Sequence, residues 1–315
     1  MLKIVLLGAG SHSQANHLPA LARYASEHPG QIELGGLCDL CRDRAQDAAE
    51  RYGFARAYTD LDEMLLCERP DACVAVTPIP VTTEVAARVI RAGVPLLMEK
   101  PPGATVGEAR EIVDLVERTG AQVMVSMNRR FDPALCAALD WAGDRHVEYV
   151  RGAIVRVDRR EPEFMYGTAM HTVDAMRGIA GDVRECEAEV RPVEGVPWYA
   201  IRFTFESGAL GLLEVLPTAG CTAETYELAG AGYRAFAATG EYGSGEVRCW
   251  EGGRLVVEDE PAHGLPGYVR NGAYDETVAF LSALREGRAP SPSPAEVLQS
   301  VELCHSVLET AMRGT

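Results

Sequence analysis

Short apolar runs alternate with amphipathic stretches through the first half of the chain. Five runs have the length of buried strands: Leu2 to Leu7, Ile32 to Cys38, Ala72 to Thr77, Pro95 to Glu99 and Gln122 to Met127. Four stretches between them have the helical period: Gln14 to Ser26, Arg42 to Tyr52, Thr82 to Ala92 and Val106 to Arg118. This alternation predicts a doubly wound parallel sheet, an α/β Rossmann domain over residues 1–125.

The pattern changes beyond Ala142 to longer segments in which apolar and polar positions alternate. They comprise Val147 to Val157, Trp198 to Phe205 and Ala209 to Leu216, with further short strands to about Glu258. Two helices, Ala273 to Arg285 and Pro294 to Met312, end the chain. We therefore expect an α+β second domain over residues 126–315, built on a large, mostly antiparallel open sheet and used for substrate binding and oligomerisation.

Composition and charge exclude several classes of protein. Of the 315 residues, 47% are hydrophobic and 24% are charged, which is typical of a globular protein rather than a disordered chain. The net charge of −16 argues against a nucleic-acid partner, which needs a basic surface. Membrane spans need about 20 consecutive apolar residues, and none occurs, so we expect a cytoplasmic protein with no membrane partner.

Nine cysteines at irregular spacing indicate reduced thiols rather than a disulfide framework. Cys38 and Cys41 form a C-x-x-C pair, for which a redox dithiol or half a zinc site is the alternative, but no second pair completes a four-ligand zinc set. We predict packing thiols at the end of a strand and the start of a helix, and no metal site.

A glycine motif follows the first strand and opens a helix, which is the context of a dinucleotide fingerprint. Gly8 would permit the tight turn and Gly10 the close approach of a pyrophosphate, and Ser13 replaces the third glycine, with Ser11 and His12 between them. This predicts a nicotinamide cofactor, and a plain tight turn is the alternative.

Asp39 ends the second predicted strand, where a carboxylate can accept hydrogen bonds from ribose hydroxyls and repel a 2′-phosphate. Its position favours NAD over NADP. Arg42 lies close enough in sequence to pair with a 2′-phosphate, so NADP stays the alternative cofactor. Asp39 could equally cap the following helix.

Only two of the 30 basic residues are lysines, Lys3 and Lys100. In a chain that otherwise uses arginine, a lysine indicates a need for a compact ammonium with a tunable pKa, although chance survival is the alternative for both.

Several motifs together resemble the Gfo/Idh/MocA family of oxidoreductases, named for glucose-fructose oxidoreductase, inositol dehydrogenase and a rhizopine catabolism protein. The resemblance covers nearly the whole chain. It rests on the G-x-G start, His17 to Leu21, Thr77-Pro78, Ala92-Gly93, Glu99-Lys100-Pro101-Pro102, Asn128 to Pro133, His171-x-x-Asp174, Tyr274 to Glu276 and Pro290 to Pro292.

The resemblance implies hydride transfer between a nicotinamide and a carbinol carbon. It implies that Thr77, Pro78, Glu99 and Lys100 contact the cofactor, and that Lys100 and His171 act at the reacting hydroxyl. The residue types suit this chemistry, because histidine can take the hydroxyl proton and lysine can stabilise an alkoxide. Asp174 shares a face of the helix predicted from Thr168 to Arg177 with His171, so it could contact substrate or position its neighbours. Thr168 would cap this helix.

One departure from the family pattern weakens the substrate assignment. Many members carry an aspartate four residues before the histidine, and here that position is Gly167. Glu163 and Tyr166 are candidates to orient His171 instead. Arg129 and Arg130 could bind a substrate carboxylate or phosphate, with a surface role as the alternative, and Tyr166 could stack on a sugar ring.

The sequence therefore predicts an NAD(P)-dependent dehydrogenase or ketoreductase for a sugar, sugar derivative or polyol. We also expect a homodimer or homotetramer formed through the open sheet. Two alternatives remain, an NAD-dependent glycosidase of the same family and a dinucleotide-binding regulator without turnover.

Overall fold

A computed structural model describes residues 1–313 and divides the chain into two compact units. The first unit contains residues 1–126 and 273–298, and the second contains residues 127–272 and the chain from residue 299 onward. The first boundary lies within one residue of the predicted one. The predicted second domain was continuous over residues 126–315, whereas residues 273–298 group with the first unit. Their helix packs there: the Tyr274 hydroxyl donates to the Glu27 carboxylate.

The first unit contains a parallel sheet of six strands, which confirms the predicted Rossmann architecture. The strands are β1 (Leu2–Leu7), β2 (Ile32–Cys38), β3 (Arg56–Tyr58), β4 (Ala72–Ala75), β5 (Leu96–Met98) and β6 (Val123–Val125). Their order is β3-β2-β1-β4-β5-β6, and all neighbours are parallel. The chain thus reverses direction across the sheet between β1 and β4, where such folds bind ligands.

Six helices connect these strands. They are α1 (Ser11–Ala15), α2 (His17–Glu27), α3 (Arg42–Tyr52), α4 (Leu61–Glu68), α5 (Ile79–Arg91) and α6 (Val106–Thr119). The single helix predicted from Gln14 to Ser26 is divided at Asn16, whose backbone (φ −126°, ψ −73°) leaves the helical region. The side chain of Thr105 accepts from the Glu108 N–H, and the side chain of Glu108 accepts from the Thr105 N–H. This capping box fixes the start of α6.

The second unit contains an eight-stranded, mostly antiparallel open sheet, as predicted. The elements after β6, in chain order, are α7 (Pro133–Ala142), β7 (Tyr149–Val155), α8 (Met170–Ala180), β8 (Val183–Val193), β9 (Val196–Phe205), β10 (Leu210–Leu216), β11 (Ala223–Gly230), β12 (Tyr233–Ala238), β13 (Val247–Glu251), β14 (Arg254–Asp259) and α9 (Gly267–Arg270), followed by α10 (Ala273–Arg285) and α11 (Pro294–Arg313). The sheet order is β14-β13-β12-β11-β7-β10-β9-β8, and only β7 and β10 pair in parallel.

Helix α8 lies close against one face of this sheet because two strand glycines leave room for it. A Cβ on Gly152 would lie 2.8 Å from the Met176 sulfur, and one on Gly211 would lie 3.3 Å from the Met176 methyl carbon. On β9 the alternation is as predicted: Ile201 is buried, and Arg202 is exposed on the opposite face. The close contact fixes α8, and with it His171, on the sheet.

The nine cysteines are free thiols, and none forms a disulfide. Cys38 is buried at the end of β2 and Cys41 is exposed immediately before α3, as predicted. Burial raises the pKa of the Cys38 thiol to about 12, so this thiol is unsuited to redox chemistry. Within residues 1–313, no helix combines the length and the apolar character needed to cross a bilayer.

Candidate functional site

A cavity of about 430 Å³ opens in the first unit at the carboxyl ends of β1 and β4. Five residues predicted to bind the cofactor line it: Gly8, Gly10, Asp39, Thr77 and Pro78. The cavity has the size of a small-molecule site and lies where the strand order reverses. The other six predicted cofactor residues, Ser11, His12, Ser13, Arg42, Glu99 and Lys100, are not on its wall.

Gly8 is required by the backbone of the turn after β1. Its φ of +95° is one that side-chain-bearing residues rarely adopt, and a Cβ there would lie 2.0 Å from the Val76 carbonyl oxygen. The close approach lets Leu7 accept from the Val76 N–H and lets the Gly8 N–H donate to Cys38. Gly8 thus joins the ends of three strands at the floor of the cavity.

Gly10 and Ser13 have different roles in the fingerprint. A Cβ on Gly10 would meet no atom within 4 Å, so the backbone before α1 faces open space on the cavity side. Ser13 is completely buried, and its hydroxyl has no hydrogen-bond partner. The position of the third glycine therefore serves the packing of α1 rather than contact with a ligand.

Asp39 is held by three donors at the end of β2. Its Oδ2 accepts from the Ala9 N–H at 2.8 Å, and its Oδ1 accepts from the Cys41 N–H at 2.8 Å and from the Arg44 guanidinium at 2.6 Å. Burial alone would raise the pKa of this carboxyl, but these hydrogen bonds hold it below its usual range. An ionised Asp39 on the cavity wall is the acceptor that a ribose requires.

Arg44, rather than the predicted Arg42, is the basic residue at Asp39. Arg44 lines the cavity and Arg42 does not. The sequence contained a signal for this: Cys41 precedes α3, so Arg44 is the third helical residue, whose side chain reaches back toward the helix start. Leu40, Asp60 and Arg88 also line the cavity and were not predicted.

Glu99 follows β5 and binds two histidines through one oxygen. His12 Nε2 lies 2.9 Å and His17 Nε2 lies 2.7 Å from Glu99 Oε1, and the Lys100 N–H donates to Oε2 at 3.2 Å. Among residues 1–313 these three side chains could offer ligand atoms to a metal ion. Tetrahedral zinc ligands lie about 3.3 Å apart, however, so the shorter distances fit shared hydrogens better. We call this group the Glu99 cluster.

The two lysines have different surroundings. Lys3 Nζ lies 3.7 Å from Glu68 Oε2, and this buried carboxylate also accepts from the Tyr58 hydroxyl. Lys3 therefore has a structural partner at the start of β1. Lys100 is half-buried immediately after Glu99.

His171 lies on α8 and is half-exposed. The predicted cap at Thr168 is wrong, because a π-helical turn, Met165–Ala169, leads directly into α8. The Thr168 hydroxyl accepts from Arg159 instead. Single π-helical turns within helices are frequent at functional sites.

Asp174, three residues after His171, is engaged inside the second unit. Arg130 donates to both of its oxygens, at 2.7 and 3.0 Å, and the Ser300 hydroxyl donates to Oδ1 at 2.9 Å. Only 1% of Asp174 is exposed. Asp174 and Arg130 thus form a two-point ion pair inside the second unit.

Arg129 forms a similar ion pair with Glu224 on β11. Its Nε donates to Glu224 Oε1 at 2.7 Å, and Arg156 donates to Oε2 at 2.7 Å. The alternative of a surface role is wrong for Arg129, since only 4% of it is exposed. Burial alone would raise the pKa of Glu224, but the two guanidinium charges lower it. The Tyr242 ring covers Arg156, with its centroid 3.8 Å from the guanidinium carbon.

The position of the missing acid, Gly167, lies within the π-helical turn. Its N–H donates to the Glu163 carbonyl oxygen at 2.6 Å, and the Glu163 side chain is exposed. Tyr166 is half-exposed and stacks on His305, with ring centroids 5.1 Å apart. Sequence reasoning missed His305, because α11 is distant in sequence from the turn.

Comparison with known proteins identifies the family of the N-terminal part of the chain. Residues 2–127 match the family model described as an oxidoreductase family with an NAD-binding Rossmann fold. These residues belong to the Gfo/Idh/MocA family. In sequence, the chain is similar to D-glucoside 3-dehydrogenase of Escherichia coli, with 30% identity over 41% of this chain and 36% of that protein. It is 28% identical to D-apiose dehydrogenase of Paraburkholderia graminis over 67% of this chain and 60% of that protein.

These two matches span less than two thirds of either relative. A third relative, 4-carboxy-2-hydroxymuconate-6-semialdehyde dehydrogenase of a Sphingobium species, is 25% identical over 98% of this chain and 96% of that protein. Among solved structures, a dehydrogenase from Chromobacterium violaceum has a TM-score of 0.88 at 20% identity, covering 99% of this chain and 96% of that one. Levoglucosan dehydrogenase in complex with NADH and L-sorbose has a TM-score of 0.84 at 20% identity over 99% and 97%. The structural likeness extends the fold to the whole chain.

Proposed function

We propose that this protein is an NAD(P)-dependent oxidoreductase that interconverts a hydroxyl and a carbonyl group on a sugar, sugar derivative or polyol. The observation that carries the proposal is the cavity lined by Gly8, Gly10 and Asp39 where the strand order reverses between β1 and β4. The ionised Asp39 favours NAD over NADP. The carbohydrate substrate class is supported by the names of the glucoside and apiose dehydrogenases.

The bound nicotinamide would exchange a hydride with the carbinol carbon. The protein then has two tasks, to remove the hydroxyl proton and to stabilise negative charge on the oxygen. We assign the first to His171, since an imidazole titrates near neutral pH, and the second to the Lys100 ammonium. Asp174 is assigned a positioning role, because Arg130 and Ser300 already engage both of its oxygens.

The test replaces each group without a large change of volume. Lys100→Met is compared with Lys3→Met, which removes the only other lysine of the chain, and His171→Asn is compared with His263→Asn on an exposed segment. NADH and NADPH binding is measured by nicotinamide fluorescence. Turnover is measured at the nicotinamide absorbance band on a panel of sugars and polyols, with aldehydes included because one relative is a semialdehyde dehydrogenase.

We expect Lys100→Met to lower kcat by about 10²- to 10³-fold, and His171→Asn by about 10²- to 10⁴-fold, with NADH affinity retained in both. The two control variants should keep the turnover and the NADH affinity of the parent protein. Full turnover in Lys100→Met or His171→Asn would refute these roles. Failure of the folded parent protein to bind either dinucleotide would refute the cofactor site.

Gly167 favours a second candidate, a dinucleotide-binding regulator without turnover, because no carboxylate occupies the position that many relatives use. A regulator would bind NADH and yet turn over no substrate on the panel. An NAD-dependent glycosidase would instead retain its cofactor, cleave a glycoside and release no net NADH.

A further inference from the structure

The Glu99 cluster contains two imidazoles that the proposed hydride chemistry does not use. His12 is part of the fingerprint, two residues after Gly10, which lines the cavity. We propose that His12 takes up a proton when the dinucleotide binds, so that cofactor affinity depends on pH through this residue. The inference rests on the proposed cofactor site and adds His12 to it as a proton-binding group.

The hydrogen bonds define where the protons of the cluster are. An ionised carboxylate only accepts hydrogen bonds, so the Nε2 atoms of His12 and His17, at 2.9 and 2.7 Å from Glu99 Oε1, must both carry hydrogen. Burial alone would raise the pKa of Glu99, but the charges and hydrogen bonds of His12 and His17 lower it well below its usual range. When Glu99 is ionised and His12 is neutral, with its Nε2 carrying hydrogen, the His12 Nδ1 atom can accept one further proton.

Exposure decides which ring takes the proton. His17 is 2% exposed, and its Nδ1 is buried without a hydrogen-bond partner, so an added hydrogen there would be an unsatisfied buried donor. The His12 side chain is 56% exposed and exchanges protons with solvent. Its Nδ1 lies 3.3 Å from the Asn16 side-chain nitrogen, which donates to a neutral ring, and rotation of that amide would present its oxygen as an acceptor to the imidazolium. The adjacent Glu99 carboxylate favours the imidazolium form of His12.

The other charged groups on the surrounding elements normally titrate outside the neutral range. They are Lys100 after β5, Arg23 and Glu27 on α2, and Asp275, Glu276 and Arg285 on α10. Arg23 pairs with Glu27, and Glu276 accepts from the Ser126 hydroxyl. Carboxylic acids normally lose their protons well below pH 7, and lysine and arginine well above it. Burial raises the pKa of Asp275, so the His12→Gln variant is what assigns a proton gained near neutral pH to His12.

Charge couples this proton to the cofactor. The dinucleotide carries an anionic pyrophosphate, which a positive charge on the fingerprint attracts. Linkage is reciprocal, so the bound dinucleotide must raise the proton affinity of His12 by the same factor. Cofactor affinity is then highest below the pKa of His12 in the free protein. It falls as the pH rises through that value and becomes constant above the pKa in the complex.

The test counts protons during NADH binding. Calorimetric titrations at pH 7 in phosphate and in Tris, whose ionisation enthalpies differ, give the number of protons taken up, and fluorescence titrations from pH 6 to pH 9 give the dissociation constants. His12→Gln keeps an N–H donor for Glu99 but cannot be protonated. His28→Gln, which alters a histidine of the same unit at the end of α2, is the matched control.

We expect the parent protein and His28→Gln to take up a fraction of one proton per NADH and to bind about tenfold more weakly at pH 9 than at pH 6. His12→Gln should bind NADH with no proton uptake and a constant affinity. Unchanged proton uptake in His12→Gln, or no proton uptake in the parent protein, would overturn the role of His12 but not the proposed cofactor site. Absence of NADH binding in the folded parent protein would overturn the proposed cofactor site, and this inference with it.

Discussion

The two units use buried carboxylates in opposite ways. In the first unit, Asp39 lines a cavity and is held largely by backbone N–H groups, with one arginine that is half-exposed. In the second unit, Glu224 is completely buried and lies between two buried arginines, Arg129 and Arg156. Both carboxylates accept three or more hydrogen bonds, yet only Asp39 faces space that a ligand can enter.

The difference shows what an acidic residue needs in order to bind a ligand. Backbone N–H groups at a turn orient a carboxylate without covering it, because the chain continues away from them. Guanidinium groups with bulky stems enclose the carboxylate, and in the second unit the Tyr242 ring closes over them. Residue type alone therefore did not show that Arg129 pairs with Glu224, or that Arg130 pairs with Asp174.

The largest effect is expected from removing the enclosed carboxylate. Glu224→Ala leaves Arg129 and Arg156 buried without their shared counter-charge, and we expect the free energy of unfolding to fall by about 3–5 kcal/mol. Urea unfolding followed by circular dichroism measures this loss. NADH affinity, determined where the variant is still folded, should not change.

The control for this substitution is Glu187→Ala, which breaks an exposed pair with Arg202 on the solvent face of the same sheet. Exposed pairs contribute little, so the urea midpoint should stay where it is. If Glu224→Ala unfolds at the same urea concentration as the parent protein, the ion pairs of Glu224 do not stabilise the second unit. The proposed difference between Glu224 and Asp39 would then be wrong.

Strands could be predicted from the sequence where both of their faces are buried. The predicted limits of β1 and β2 agree with the structure residue for residue, because central parallel strands are continuous apolar runs. β8, the longest strand, was not predicted, because it is an edge strand whose outward residues are mostly charged. β3 has three residues, none of them buried, and gives no periodic signal.

The site was predictable where one local motif determines it. The fingerprint glycines and Asp39 follow from the ends of β1 and β2, and the structure brings Gly8, Gly10 and Asp39 to one cavity. The Glu99 cluster joins residues 82 and 87 positions apart, so no local pattern could reveal it. The return of residues 273–298 to the first unit was also unpredictable, because helical periodicity does not specify which surface a helix packs against.

The next largest effect is expected at the open carboxylate. Asp39→Asn replaces an acceptor by an amide whose N–H₂ group faces a backbone donor, either Ala9 or Cys41. We expect NADH to bind about tenfold more weakly and discrimination against NADPH to decrease, since the charge that repels a 2′-phosphate is lost. Fluorescence titration with both dinucleotides measures this change.

Asp43→Asn removes an exposed charge one turn further along, in the first turn of α3, and should leave both dissociation constants unchanged. The loss of one satisfied hydrogen bond should lower the stability of Asp39→Asn by only about 1 kcal/mol, well below the loss in Glu224→Ala. If Asp39→Asn were destabilised as strongly as Glu224→Ala while binding NADH normally, Asp39 would be a structural residue and the two carboxylates would not differ in kind.

The smallest effect is expected from the half-exposed guanidinium that holds Asp39. Arg44→Gln removes the 2.6 Å hydrogen bond to Asp39 Oδ1 but leaves the Ala9 and Cys41 N–H donors in place, so the carboxylate stays ionised and approximately oriented. We expect NADH affinity to change by about threefold or less, the scale of an exposed ion pair. Arg42→Gln, which removes a neighbouring charge that is not on the cavity wall, should have no effect. Fluorescence titration with NADH measures both variants. Equal effects of the two substitutions on NADH affinity would show that general positive charge on α3 matters, whereas an effect confined to Arg44→Gln would show that contact with Asp39 does.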